Sequence, residues 1–172
     1  MTAADFGLLM LRATVGLTVM AHGFNKLFGG GRLPGTARWF ESMGLRNGWL
    51  QARMACSTEL TAGLLFALGL LTPLAAAGLV GLMTVTILVD HRFNGFFVFR
   101  KGEGIEYVLV LAVAAASIAA TGPGQASLDH AFGWDDRNGW TSLALAAGIG
   151  VGAALLQVAI FWRNPRKVAS AS

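Results

Sequence analysis

Ionisable side chains interrupt the first apolar segment of the chain at helical spacing. The stretch "RATVGLTVMAHGFNKLF" contains Arg12, His22 and Lys26, with Val15 and Val19 between them. Successive members lie three or four residues apart, so all five side chains share one face of an α-helix. An ionisable group inside an apolar span costs at least ~2.5 kcal/mol to insert, and it normally faces a partner or a water-filled cavity. The spacing therefore predicts a polar site between packed helices.

Further ionisable side chains are predicted to lie at the same end of the helices. Four segments of the sequence contribute to the set, which comprises His22, Lys26, Glu59, Asp90, His91 and Glu106. At ~1.5 Å per residue, His22 and Glu59 lie ~9 and ~13 Å deep, too deep to reach water easily. A carboxyl at this depth is suited to donating or accepting a proton. For Lys26 and Glu106 the alternative is an interfacial ion pair, and the neighbouring aspartate and histidine alternatively end a helix at the water boundary.

Arg12 lies apart from this set, ~24 Å from the inner end of the first helix. Its planar guanidinium suits a carboxylate on the outer side, with Asp5 and Asp129 as candidates, or an anionic ligand. A purely structural role for Arg12 is an equal alternative.

The composition is that of an integral membrane protein. Hydrophobic residues make up 55% of the 172 residues, charged residues make up only 13%, and the mean hydropathy is +0.60. A soluble domain needs more surface charge than this. The net charge of +4 falls between apolar blocks, where it indicates orientation rather than nucleic-acid binding. Because Cys56 is the only cysteine, an intrachain disulfide or a cysteine-ligated cluster is excluded.

Five apolar segments predict a single all-α transmembrane domain over residues 1–172. The spans are expected at about 6–28, 50–71, 74–89, 105–121 and 141–162. The third and fourth fall slightly short of the roughly 20 residues that a hydrocarbon core needs, and Pro73 marks a break between the second and third. In the fifth, Ala144, Gly148 and Gly152 form a small-residue stripe that is typical of a packing or oligomerisation helix.

The basic residues predict the orientation of the chain. Apart from Arg12 and Arg137, all of the 13 Lys and Arg residues lie on the side that carries the first long loop, the third loop and the C-terminal tail. The positive-inside rule then places the N-terminus outside and the C-terminus in the cytoplasm. The N-terminal "MTAAD" lacks a basic residue, and no cleavage site follows it, so we expect the first helix to be retained. In the first long loop, Thr36, Phe40 and Met43 share a helical face, which predicts an interfacial helix or, alternatively, a surface loop.

Haem and metal sites are not expected from the histidines. His22 and His91 lie at depths that differ by more than a helical turn, and His130 falls outside the membrane, which disfavours a bis-histidine haem. No cluster of ligands has short metal-binding spacing, so no metal site is predicted. The segment "HRFNGFFVFRKGEGIEY" surrounds Phe96 with further aromatic rings beside acidic groups. This arrangement indicates either a receptor for a flat, lipid-soluble ring or an aromatic belt at the membrane interface.

Several motifs, taken in order, resemble the DoxX family of small bacterial membrane proteins. They are "LRATVGLTVMAHGFNKLF", "CSTELTAGLLFALGLLTPLAA", "NGFF", "GEGIEYVLVLA" and "TGPGQASLD", over residues 11–129. The family positions are matched here by Arg12, His22, Gly23, Lys26, Glu59, Asn94, Gly95, Glu106, Tyr107 and the segments 122–124 and 127–129. The resemblance implies a DoxX-like four-helix transmembrane bundle, to which the last apolar segment adds a fifth C-terminal transmembrane helix.

The resemblance also implies a redox setting in the bacterial inner (plasma) membrane. A relative, DoxD, is a subunit of a thiosulfate:quinone oxidoreductase, and DoxX-like proteins are associated with redox and thiol-stress assemblies. We therefore expect a redox-linked subunit whose cytoplasmic-side pocket binds a quinone or similar lipophile. The catalytic candidates are Glu59, His22 and Glu106, and the ligand-binding candidates are Arg12, Lys26, Asn94, Phe96 and Tyr107.

Two other function classes remain open, and with them the question of whether the protein is an enzyme at all. One is a proton-coupled small-solute carrier that uses Glu59, and the other is a non-catalytic scaffold for soluble redox enzymes. The expected partners are the lipid bilayer, a redox protein that supplies electrons, and further copies of the chain or other subunits of a membrane complex. No nucleic-acid partner is expected.

Overall fold

The computed structural model describes residues 1–135 and 139–164 of the chain. Its α-helices are α1 (Ala3–Phe28), α2 (Arg32–Ser42), α3 (Gly48–Leu68), α4 (Thr72–Val89), α5 (Glu106–Thr121), α6 (Leu128–Ala131) and α7 (Gly139–Phe161). A 3-10 turn, His91–Phe93, follows α4, and the described ranges contain no β-strand. Arg137, Arg166 and Lys167, which contribute to the predicted orientation, lie outside the described residues.

The five long helices coincide with the five predicted apolar segments to within three residues at each end. Among the described residues, α1, α4 and α7 are long and apolar enough to cross a membrane by length and composition. The shorter α5 is also apolar. The mostly helical membrane fold is therefore confirmed, whereas spans by α3 and α5 remain predictions.

Local sequence explains where the helices begin and end. Thr2 and Asp5 form a capping box at the start of α1, in which each side chain accepts a hydrogen bond from the other's backbone N–H. Gly69 ends α3 in the left-handed conformation that glycine adopts without steric cost. Pro73 lies in the first turn of α4, where its missing N–H has no helical partner to lose. The predicted break between two apolar helices is found at this position.

Four helices form the bundle, and the fifth packs against its side. Each of α1, α3, α4 and α5 contacts two neighbours in the order α1–α3–α4–α5–α1, and α7 packs on α4 and α5. Phe66, Leu79 and Ile118 are almost fully buried in the core. A Cβ on Gly16 or Gly63 would collide with the other residue's carbonyl, so this glycine pair permits close approach of α1 and α3. The four-helix bundle with an added C-terminal helix is confirmed.

The helix α7 packs through a different stripe of small residues from the one that its sequence suggested. Its buried face comprises Ser142, Ala146, Gly150 and Ala154. The predicted stripe of Ala144, Gly148 and Gly152 is exposed in the single chain. Both stripes have four-residue spacing, so only the rotation of α7 about its axis distinguishes them.

The first long loop contains the helix α2, so the surface-loop alternative is wrong. It packs against α1 and α3 at the end of the bundle where α1 ends. We call this the Lys26 end, and the opposite end, where α4 begins, the Arg12 end. The place of α2 in the headgroup plane remains a prediction.

Candidate functional site

A cavity of about 460 Å³ opens between the helices at the Lys26 end. All five long helices and α2 contribute to its wall. Apolar side chains such as Leu82, Met83 and Val108 cover much of the wall, and polar side chains enter it at a few places. This volume lies within the range of pockets that bind small organic molecules.

Two charged side chains meet at the wall of the cavity. Lys26 Nζ lies 2.6 Å from Glu59 Oε1, and the two side chains are 16% and 7% exposed. Glu59 Oε2 is buried and has no hydrogen-bond partner within residues 1–135 and 139–164. The opposite charges of the pair therefore neutralise each other, and one carboxylate oxygen remains available to accept a hydrogen bond from a further group.

The direction of helical side chains explains why Lys26 pairs with Glu59 and not with Glu106. Side chains lean toward the N-terminus of their own helix. Because α1 and α3 run in opposite directions, Lys26 leans deeper into the bundle and Glu59 leans back toward the Lys26 end. Glu106 is the first residue of α5, and its carboxylate accepts a hydrogen bond from the backbone N–H of Val98 at 3.1 Å. The Lys26–Glu106 ion pair left open from axial depth is therefore wrong.

An imidazole and a phenol meet across the bundle at the same cavity. His22 Nε2 lies 3.3 Å from the hydroxyl oxygen of Tyr107, which joins α1 to α5. Both residues line the cavity together with Lys26 and Glu59. The structure thus brings four of the predicted site residues to one cavity wall, and all four side chains exchange or donate protons.

Three other predicted site residues lie in or beside the loop between α4 and α5 and do not line this cavity. The side chain of Asn94 donates to the carbonyls of Gly102 and Glu103, at 2.7 and 3.2 Å, and thereby closes the loop. Phe96 is 48% exposed within this loop. The third residue is Glu106, whose carboxylate accepts the hydrogen bond from the backbone N–H of Val98. These contacts favour a role in shaping the loop, and the predicted binding and catalytic roles are untested.

Arg12 lies at the opposite end and is 1% exposed. Its guanidinium donates to the carbonyl of Ala67 at 3.0 Å and to the carbonyl of Ala126. Asp129 accepts hydrogen bonds from the backbone N–H groups of Leu71 and Thr72, at 2.7 and 2.9 Å. Arg12 therefore binds main-chain atoms that connect α1, α3 and the segment before α6. This arrangement favours the structural alternative.

Two side-chain amides that meet at the cavity were not singled out from the sequence. Gln157 Nε2 donates to Gln51 Oε1 at 2.6 Å, and both residues line the cavity. Gln51 is 1% exposed, and its Nε2 has no hydrogen-bond partner in the described part of the chain. The available signal was that Gln157 is the only side-chain amide within an otherwise apolar α7.

Comparison with known proteins identifies the family of the chain. The DoxX family model matches residues 7–92, half of the chain. This segment contains α1 from its fifth residue onward, all of α2 to α4 and both members of the Lys26–Glu59 pair, whereas the motifs after residue 92 lie beyond it. No curated protein matches the chain, and no solved structure matches it either. With its helical bundle and apolar helices, the chain belongs to the DoxX family of membrane proteins.

Proposed function

We propose that this protein is a redox-linked membrane subunit whose cavity binds a quinone or a similar flat lipophile. The supporting observation is that Lys26 pairs with the buried Glu59 at the wall of an apolar cavity of about 460 Å³. Leaving a buried acceptor unpaired costs about 1–3 kcal/mol, so Glu59 Oε2 favours a bound group that donates to it. A lipid-soluble ligand with a polar head satisfies both the apolar wall and this atom.

The polar side chains of the cavity fit a quinone in both of its redox states. When bound, a quinone supplies a group that takes up two electrons and two protons. The ammonium of Lys26 donates to a carbonyl oxygen and stabilises negative charge that develops there. Glu59 accepts from a hydroxyl and exchanges its proton, and the His22–Tyr107 pair extends proton exchange to α5.

In this proposal, a partner redox protein or a bound cofactor supplies the electrons. With Cys56 as its only cysteine, the chain cannot store two electrons in an intrachain disulfide. The expected contact surface is the Lys26 end, where the basic residues of the loops are concentrated.

The proposed site lies on the cytoplasmic side of a bacterial plasma membrane. All five long helices then span the bilayer, with the N-terminus outside and the C-terminus in the cytoplasm. Support comes from the apolar α1, α4 and α7 and from the unequal distribution of Lys and Arg between the loops. In this orientation, α2 lies near the inner headgroups.

Quinone content of the purified protein tests the proposal. Protein is extracted in native lipid, and its quinone is quantified by mass spectrometry for wild type, Glu59→Gln and Glu41→Gln. Glu41 is a matched control because its carboxylate accepts from the Gly48 N–H outside the cavity. We expect stoichiometric quinone in wild type and in the control, and loss in Glu59→Gln. Wild-type quinone no higher than in bulk lipid would overturn the proposal and favour a carrier or scaffold.

A further inference from the structure

The amides of a buried and a partly buried glutamine form a second polar site in the cavity wall. Gln51 belongs to α3 and Gln157 to α7, and the amide of Gln157 donates to that of Gln51 at 2.6 Å. Gln51 is 1% exposed, yet its Nε2 has no partner among the residues described. Because Gln51 lines the cavity, the group that completes the hydrogen bonding of its amide is expected to enter from the cavity.

One face of α3 connects this amide to the Lys26–Glu59 pair. The cavity-lining residues of α3 are Gln51, Met54, Ala55, Thr58 and Glu59. Their spacing of three, four, seven and eight residues from the first is that of a single helical face. The face has a polar atom without a partner at each end and mainly apolar atoms between them. A ligand lying along it meets a hydrogen-bonding group at both ends.

The spacing of the two ends limits the size of the polar head that joins them. Gln51 and Glu59 are eight residues apart, or ~12 Å along the helix axis. Two hydrogen bonds of ~2.8 Å each leave about 6 Å between the ligand atoms that make them. A six-membered ring with oxygens on opposite carbons has about this length. Neither end demands a net charge on the ligand, because the amide is neutral and the ion pair balances itself.

We propose that Gln51 is a specificity-determining residue, which donates to the second oxygen of a ring whose first oxygen is bound by Lys26 and Glu59. The inference rests on the proposed function and extends it from lipophile binding to selection of rings with two opposite oxygens. Gln157 is a positioning residue that holds the Gln51 amide. Since α7 follows the segment that the DoxX family model matches, this half of the amide pair lies beyond that segment.

Binding of two matched ligands tests the inference. The full-length protein in nanodiscs is dialysed under reducing conditions against 2-decylhydroquinone, which has two opposite hydroxyls, and 3-decylphenol, which lacks one of them. In both ligands the first hydroxyl can donate to Glu59 and accept from Lys26. Empty nanodiscs correct for partition into lipid. We expect wild type to bind the hydroquinone at least about tenfold more tightly than the phenol, since one extra hydrogen bond separates them. Gln51→Leu should remove this preference and leave the affinity for the phenol unchanged.

Two further variants make the outcome decisive. Gln125→Leu changes an exposed glutamine at the other end of the bundle and should preserve the wild-type preference. Gln157→Leu should reduce the preference partly, and it replaces Gln51→Leu if that variant does not fold. Equal affinities in wild type, or an unchanged preference in both cavity variants, would overturn the inference alone. If wild type binds neither ligand, the proposed function fails with it.

Discussion

The two ends of the bundle both bury charged side chains, but they provide partners for them differently. At the Arg12 end, the guanidinium donates to two main-chain carbonyls, and Asp129 accepts from two main-chain N–H groups. At the Lys26 end, Lys26 and Glu59 bond to each other beside a large cavity. Main-chain partners hold chain segments together, whereas side-chain partners at a cavity are free to interact with a ligand.

The space beside each cluster supports the same distinction. Near Asp129 the cavity is about 90 Å³, and the buried hydroxyl of Thr72 borders it. Such a volume holds only a few water molecules, at ~30 Å³ each. The cavity beside Glu59 is about 460 Å³, enough for an organic molecule. This difference supports a structural role for the Arg12 end and the ligand-binding role that we propose for the Lys26 end.

The largest expected effect on stability comes from removing Arg12. Arg12→Leu deletes two charged hydrogen bonds to carbonyls and should lower the free energy of unfolding by about 3–6 kcal/mol. Arg12→Lys keeps the charge without the planar fork and should lose less. Unfolding by SDS titration measures both variants. Quinone per folded protein should stay at the wild-type level, and a stable Arg12→Leu protein without ligand would reverse the assignment of the two ends.

An intermediate loss of unfolding free energy is expected when only one partner of the ion pair is replaced. Lys26→Met leaves Glu59 buried without its cation and should cost about 3 kcal/mol of unfolding free energy. The double variant Lys26→Met/Glu59→Leu removes both charges and should return to within about 1 kcal/mol of wild type. The same titration compares them. A double variant that is stable but lacks quinone would support a binding role for the Lys26 end and a structural role for the Arg12 end. A double variant as unstable as Arg12→Leu would show that the Lys26–Glu59 pair is also structural.

The smallest loss of unfolding free energy is expected from replacing Glu106. Glu106→Ala removes one hydrogen bond to the half-exposed loop and should cost about 0.5–1.5 kcal/mol. Quinone content should not change, because Glu106 does not line the cavity. Mass spectrometry of the purified variant checks this. Loss of quinone to the extent expected for Glu59→Gln would instead support the proton-relay role predicted for Glu106.

Much of the fold was predictable because hydropathy and helical spacing are local properties. The five long helices, the break at Pro73 and the inward face of Arg12, Val15 and Val19 all follow from them. The motifs also identified the DoxX family. In the site, helical depth brought Glu59 and His22 to the same region. Their proposed roles in binding and proton transfer still depend on the quinone measurement.

The sequence by itself determined which residues form helices, which of them are apolar enough for a membrane, and which ionisable groups lie at each end. Only the tertiary structure determined which side chains form ion pairs or hydrogen bonds with which partners. Lys26 binds Glu59 rather than Glu106, Arg12 binds main-chain carbonyls, and Gln51 meets a glutamine far along the chain. These choices depend on the rotation of each helix about its axis and on the lean of side chains toward the helix N-terminus. The depth of a residue along its own helix gives neither its rotation nor its direction relative to a neighbouring helix. The partners of these side chains are therefore known only once the helices have packed.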